Sequence, residues 1–288
     1  MKSKLSIVAS MLIWGSIGIF VKQIGLSSGI IAALRGIVGA AILFCVMAFA
    51  KNKINFKALS KKLPLILVSG AIIGINWALL FEAYNYTSVA VATVCYYMAP
   101  MFVTIASVFV FKEKLTLKRA LCVVAALVGT MLVSGVFGGK ISGALGMLLA
   151  LGAAVMYASV VIINKLVGEV DAYQKTALQL IVAGVIALPY GVATSGNTTF
   201  NLPIKSIVFL AIVCIVHTGL AYTLYFGALG KVKAGTAAII SYIDPSSAVL
   251  FSALILGEYV SSEQYVGALL IIGAAFVSEV NFNFKKVN

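Results

Sequence analysis

Four ionisable side chains sit where water is scarce. Asp244, His217, Arg35 and Glu82 each fall within a long apolar run. A charge inside lipid is costly enough to mark either a pathway or an internal pair. Asp244 lies about ten residues into its run, roughly 15 Å deep at 1.5 Å per helical residue. With Ser241, Ala248 and Ser252 it makes a small, polar stripe at helical spacing, suited to facing a cavity. Two uses are open to its carboxylate: exchanging a proton within that cavity, or capping backbone freed by Pro245, since proline removes a donor and breaks the helix ladder. His217, the one histidine, lies at similar depth. Imidazole can change charge at physiological pH, so it could join Asp244 in coupling or be a hydrogen-bonded core residue. Arg35 and Glu82 lie within a turn or two of the outer ends of their runs. They are expected to meet as a gating or structural pair, with snorkelling toward the headgroups as the alternative.

Around these charges stand aromatics in register. Trp77, Phe81 and Tyr84 share one helical face, as do Thr218, Tyr222 and Tyr225. A tyrosine in lipid needs a partner for its hydroxyl, which favours a partly wet cavity over plain packing. Trp14, Tyr97, Tyr157, Tyr222 and Tyr242, with Ser241, are the expected cavity residues.

The elements that must position them are membrane helices. Apolar residues make up 62% of the 288 and charged residues 10%, with a mean hydropathy of +1.12. Runs of about 20 apolar residues recur along the chain, each long enough to span a bilayer. Ten spans are expected, near 5–24, 29–50, 64–86, 88–111, 119–137, 142–165, 173–194, 205–229, 234–256 and 263–281. Helices satisfy their own backbone in lipid, so the fold class is an all-α polytopic membrane protein. The first run lacks a small-residue cleavage site and leads at once into another span, so it is expected to stay as a helix. Cys45, Cys95, Cys122 and Cys214 lie inside apolar runs and read as small core residues. The net charge of +13 is spread in short lysine clusters between spans, which sets orientation and does not signal nucleic acid. With the N-terminus cytoplasmic, 17 of the 21 basic residues fall on the inside. Only Lys22, Lys140 and Lys205 fall outside, and Arg35 is within a span. Both termini are expected to be cytoplasmic, in the cell membrane.

The chain also repeats itself. Shifted by 145 residues, Phe81 falls on Phe226, Ala83 on Ala228, Tyr97 on Tyr242, Pro100 on Pro245 and Glu113 on Glu258. Proline occurs only five times, so two matched prolines, each followed thirteen residues later by glutamate, point to duplication. Trp14-Gly15-Ser16 matches Tyr157-Ala158-Ser159 at 143, and Leu34-Arg35 matches Leu178-Gln179 at 144. The expected units are 1–138 and 139–288, two five-helix repeats within one membrane domain. Five spans is an odd number, so the second repeat enters the membrane inverted, an arrangement that recurs in secondary transporters. Pro100 and Pro245 are expected to kink their helices near the middle. Small-residue ladders Ala32/Gly36/Ala40 and Gly70/Gly74 read as helix-packing scaffold.

The tight turn at Asn85–Ser88, the mid-helix Pro100 and Pro245, the closing Glu113 and Glu258, and the later Gly129 and Gly273 resemble the EamA-type branch of the drug/metabolite transporter superfamily. The resemblance spans essentially the whole chain, twice. It implies ten helices around a central cavity, and export or exchange of small metabolites such as amino acids. Gly227 and Gly230 stand where the first repeat has Glu82 and Asn85, so polarity is unequal between the halves. Glu113 and Glu258, at helix ends, read as anchors.

No Walker loop, zinc-protease helix or Cys/His cluster is present in the sequence, so no cofactor or metal is expected and primary ATP-driven transport is disfavoured. The expected partners are a small-molecule substrate and the lipid bilayer, with proton coupling and a monomeric or homodimeric state, and no nucleic acid. A secondary transporter of zwitterionic or aromatic compounds, working as an exporter, is the leading reading. A channel or lipid scramblase is the alternative, with an intramembrane enzyme behind it for want of a convergent nucleophile.

The orientation is testable by labelling. In a background freed of native cysteines, a cysteine at position 140 should react with an impermeant maleimide from outside, and one at position 231 should not. The opposite pattern overturns the orientation.

Overall fold

The computed structural model describes residues 2–50, 56–112, 116–133, 143–168, 170–195, 202–229, 231–232 and 240–279. The described residues form helices and short connections, with no strand among them. Glu113 and Gly230, the lysines at 51, 53, 114, 140, 233, 285 and 286, and the boundary expected at 138/139 lie outside them.

The helices are α1 (Lys2–Val21), α2 (Ser28–Phe49), α3 (Phe56–Tyr86), α4 (Val89–Tyr96), α5 (Ala99–Val110), α6 (Leu117–Val133), α7 (Ala144–Val167) and α8 (Ala172–Thr194). Next come α9 (Ile204–Cys214), a π-helical turn (Ile215–Leu220), α10 (Ala221–Leu229), α11 (Ile243–Ile255) and α12 (Ser262–Glu279). Among the described residues, seven helical stretches have the length and apolarity to cross a bilayer: Lys2–Val21, Ser28–Phe49, Leu59–Tyr86, Val89–Val110, Ala144–Val167, Ala172–Thr194 and Ile204–Leu229. Ile243–Ile255 and Ser262–Val277 are apolar but shorter. The chain is therefore a multi-pass membrane protein.

Helix starts follow ordinary capping chemistry. Ser27, Ser88 and Asp171 each accept a hydrogen bond from the backbone N–H three residues on, which satisfies one of the orphan donors at a helix start. At the expected tight turn, α3 ends at Tyr86 and Ser88 already caps α4.

The two prolines sit just after breaks in their passes, Pro100 midway along the Val89–Val110 stretch. Pro100 lies in the first turn of α5, after a break at Tyr97–Met98. Pro245 lies in the first turn of α11, after a turn at Tyr242. Each proline thus opens a new segment, where its missing N–H costs nothing and its fixed φ suits the helix. The break falls about three residues earlier than the proline.

Lipid offers no hydrophobic gain on helix association, so packing depends on close backbone approach. Three crossings use it. On α2, a Cβ at Gly36 would come 2.5 Å from Leu180 O and 2.7 Å from Gly184 N on α8. On α3, a Cβ at Gly74 would come 2.5 Å from Ala183 O, also on α8. On α6, a Cβ at Gly129 would sit 2.7 Å from Gly267 O on α12. Gly273, which the sequence pairs with Gly129, has nothing within 4 Å of a Cβ. The remaining major contacts join α1 to α10 and α11, α3 to α7, α5 to α7, and α4 to α7 and α11.

Gly36→Ala and Gly129→Ala should each destabilise the detergent-purified protein by about 1–3 kcal/mol through forced separation of backbones. Gly273→Ala should be neutral or slightly stabilising through helix propensity. Thermal unfolding measures the order, and equal melting temperatures for all three would contradict these crossings.

Candidate functional site

The breaks at Tyr97 and Tyr242 face each other across a cavity of about 710 Å³. Asp244 stands in the first turn of α11, where the positive end of the helix dipole favours a carboxylate. Its Oδ2 accepts a hydrogen bond from the Tyr97 hydroxyl at 2.7 Å, tying α11 to the end of α4. Asp244 therefore bonds a side chain across the cavity, not the backbone near Pro245. Helix α1 lies directly alongside, because Gly15 leaves room for the Asp244 carbonyl and for Ser247.

The expected aromatic residues converge here. Trp14, Tyr97, Tyr157, Tyr222 and Tyr242 all line this one cavity, as does Ser241. Trp14 meets Tyr222 edge-on at 5.2 Å, and Tyr222 stacks on Phe226 at 5.7 Å. Opposite, Tyr96 packs against Tyr157 at 5.6 Å, and its hydroxyl points to Asn76 Oδ1 at 3.5 Å. Tyr242 leans on Phe276 at 5.7 Å. Pro100 touches the cavity, whereas Pro245 is buried behind it.

Arg35 overturns the expected pair with Glu82. The guanidinium turns inward: it lies 4.0 Å over the Trp77 ring, and Nε donates to Thr218 Oγ1 at 2.8 Å. Glu82 instead accepts a hydrogen bond from Ser28, near the end of α3. Arg35 lines the cavity and Glu82 does not. The physical reason is the aromatic face. Trp77 and Phe81 give the cation a low-water berth that a carboxylate near the helix end would not.

His217 lies off the cavity wall. It is 1% exposed, with Nε2 3.0 Å from Ser16 Oγ and Nδ1 3.3 Å from Ile212 O. Its carbonyl accepts the Trp14 indole N–H at 2.9 Å, so this residue locks α1 to the π-helical turn. It does not reach Asp244 through any contact in the structure.

The family's sequence profile matches residues 1–135 and again 144–279, under the description "EamA-like transporter family". The chain belongs to the EamA-like transporter family. Among relatives, it is 27% identical to the uncharacterized transporter YxxF of Bacillus subtilis (strain 168), over 93% of this chain and 86% of that one. It is 25% identical, over 86% of each chain, to a protein of Salmonella typhimurium (strain LT2) named a probable amino-acid metabolite efflux pump. A solved structure titled "Crystal structure of protein" superposes with a TM-score of 0.69, covering 96% of each chain at 15% identity, which shows a shared fold.

In this EamA-like chain one end of the cavity is covered by buried aromatic side chains. The cavity extends from Gly18, Phe81 and Tyr84 to Arg119 and Lys175, at the starts of α6 and α8. Phe81 and Tyr84, 2% and 3% exposed, stack at 6.2 Å and separate it from a tiny second cavity beside Lys22 and Ser28. Beyond them, Glu258 ties three helix ends together. Its carboxylate pairs with Lys22 at the end of α1 and accepts from Ser252 on α11. It also accepts the Val89 N–H that opens α4, at 2.9 Å. Gly257, with φ at +65°, turns the chain so that Glu258 folds back over α11, a conformation that side-chain-bearing residues resist. The expected anchor at Glu258 is thus a three-way clamp.

Sequence reasoning missed Thr218 as the support of Arg35, and the π-turn that presents it. Thr218 donates to Val213 O, five residues back, at 3.1 Å. It also missed the buried amide network in which Gln179 Nε2 donates to Ser69 at 2.6 Å and to Asn164 at 2.9 Å. Gln179 is the residue that duplication matches to Arg35, a signal that could have marked it.

Removing the clamp's charge should loosen the closed end. With a cysteine placed at Ile31, buried beside the second cavity, an impermeant maleimide should label Glu258→Gln several-fold faster than the parent. An unchanged rate would mean that closure rests on Phe81 and Tyr84 alone.

Proposed function

We propose that this chain is a secondary transporter that moves small metabolites, with amino acids and related aromatic or zwitterionic compounds as substrates, outward across the cell membrane. The observation that carries the reading is the cavity itself. About 710 Å³ matches the volume of small-molecule sites, and both family-matched segments contribute to its wall. The Salmonella relative's name supports amino-acid export as the substrate class.

Alternation between two inverted five-helix repeats supplies the mechanism. Counted in passes, α4 with α5 is the fourth, α9 through α10 the eighth, and α11 the ninth, giving ten. The contacts support an exchange of halves. The second pass packs on the seventh and the fifth on the tenth, while the third-on-sixth contact has its counterpart in the first-on-eighth. With both termini cytoplasmic, the Arg119–Lys175 end of the cavity faces inward and the Glu258 clamp closes the outside. The chain then rests in an inward-facing state, ready to load substrate for export.

Asp244 is the coupling group in this reading. A proton biases a conformational equilibrium only through unequal affinity for the two states. Asp244 gains that inequality when the cavity around it alternates between wet and dry, with the Tyr97 hydroxyl on one side and the Arg35 guanidinium within electrostatic reach. Asp244→Asn keeps the shape and removes ionisation. In proteoliposomes, flux driven by a pH gradient should collapse in this variant while substrate counterflow partly survives. A wild-type response to the gradient would remove Asp244 from coupling, and non-saturating flux would make the protein a channel.

A further inference from the structure

Arg35 is a cation with most of its donors unspent. It is 5% exposed, two turns into the membrane helix α2, with its plane against Trp77. A guanidinium carries five N–H donors in a rigid fork. One, on Nε, goes to Thr218. That hydroxyl gives its own hydrogen to Val213 O, so it serves Arg35 purely as acceptor. Among the described residues no other hydrogen bond from Arg35 occurs, yet no buried side-chain nitrogen or oxygen is left without a partner. The two facts place the Nη groups at the surface of the cavity that Arg35 lines.

Among the described residues no carboxylate answers them. Asp244 is held by Tyr97, Glu82 by Ser28 and Glu258 by Lys22. The ionisable lining has three cations, Arg35, Arg119 and Lys175, against one acid, Asp244. Arg119 and Lys175 lie in the first turns of α6 and α8, whereas Arg35 lies against the Trp77 and Phe81 rings, the one cation of the three with its guanidinium on that aromatic face. A lone fork suits one carboxylate held by two parallel hydrogen bonds.

We propose that Arg35 is the residue that anchors substrate, by a bidentate bond to its carboxylate, so that the transported compounds are organic carboxylates. Thr218 is its positioning residue, held by the π-helical turn. The apolar part of the substrate lies along the Trp14–Tyr222–Phe226 wall. An α-amino group, where present, faces Asp244 and is dispensable for docking. This deepens the transporter reading and rests on the cavity being the substrate site.

The test uses matched compounds. L-Phenylalanine, 3-phenylpropionate and phenethylamine share a phenyl group, and L-leucine, 4-methylpentanoate and isopentylamine share a branched chain. Both tryptophans of the protein, Trp14 and Trp77, line the cavity, so intrinsic fluorescence of the purified protein reports occupancy. In at least one series, both carboxylate-bearing compounds should give saturable changes and the amine should not. Arg35→Lys, which keeps the charge and loses the fork, should weaken carboxylate binding roughly 10- to 100-fold. Binding of the amines as tight as that of the carboxylates, no saturable change in either series, or unchanged affinity in Arg35→Lys each overturns the proposal. Should the variant fail to elute as a folded species in size-exclusion chromatography, the wild-type comparison decides alone. Counterflow of a bound carboxylate in proteoliposomes judges the transport reading separately: binding without counterflow leaves the Arg35 anchor standing and removes transport.

Discussion

A single hydrogen bond, Tyr97 to Asp244, joins two breaks in the membrane helices. Hydrocarbon offers nothing to an unpaired backbone group, so a helix can break at membrane depth only against protein or a water-filled cavity. Here two breaks face each other, one ending α4 at Tyr97 and one starting α11 after Tyr242. Each break supplies a tyrosine to the cavity wall, and the second brings Asp244 into the first turn of a helix whose dipole favours a negative charge. The cavity, the breaks and the acid are one arrangement. Removing any of them leaves the others exposed to lipid without partners.

The crossings elsewhere are stiff by comparison. Where Gly36 meets Gly184 and Gly129 meets Gly267, backbones touch with no room for a methyl group. Such contacts hold helices as rigid pairs. The ties around the cavity are of another kind: a hydroxyl to a carboxylate, a tryptophan indole to the His217 carbonyl, and a lysine to Glu258 at the closed end. These directional bonds can be remade with water or with substrate, which is the property required of elements that move. Rigid glycine seams with exchangeable polar ties between them are the form of hinge that helix pairs in lipid permit.

The sequence made the helical architecture and most of the cavity legible, because both rest on local rules. Apolar runs located the helices, and matched residues at a shift near 145 marked Trp14, Tyr97, Tyr157 and Tyr242, which with Tyr222 line one cavity. The partners of the charges were not legible. Arg35 and Glu82 read as a pair from their similar depth, yet whether a cation turns to an acid or to an aromatic face depends on helix rotation, which spacing alone leaves free. Trp77 and Phe81 were visible as a stripe, but their use by Arg35 was not. The π-turn was hidden for a similar reason. Nothing in Ile215–Leu220 forbids an ordinary helix, and only the packing of Ser16 and Arg35 against it rewards the extra residue. His217 looked like a titrating group from its type, and its contacts make it a bolt between α1 and that turn.

Charge is divided between the two family-matched segments in a way that bears on mechanism. Arg35 comes from the first and Asp244 from the second, and the residues at their matched positions, Gln179 and Ala99, are neutral. A duplicated chain that kept its charges symmetric would carry each of them twice, in lipid, at twice the desolvation cost. Keeping one of each has a further consequence. Any motion of one segment against the other changes the separation of Arg35 and Asp244, and with it the field each exerts on the other. A ligand that neutralises Arg35 therefore alters the energy of Asp244 without touching it, and a proton on Asp244 alters the hold of Arg35 on its ligand. Reciprocity of this sort follows from linkage wherever two sites share a conformational equilibrium. Under the proposed transport cycle, this asymmetry of charge is enough to couple an anion and a proton through the same cavity.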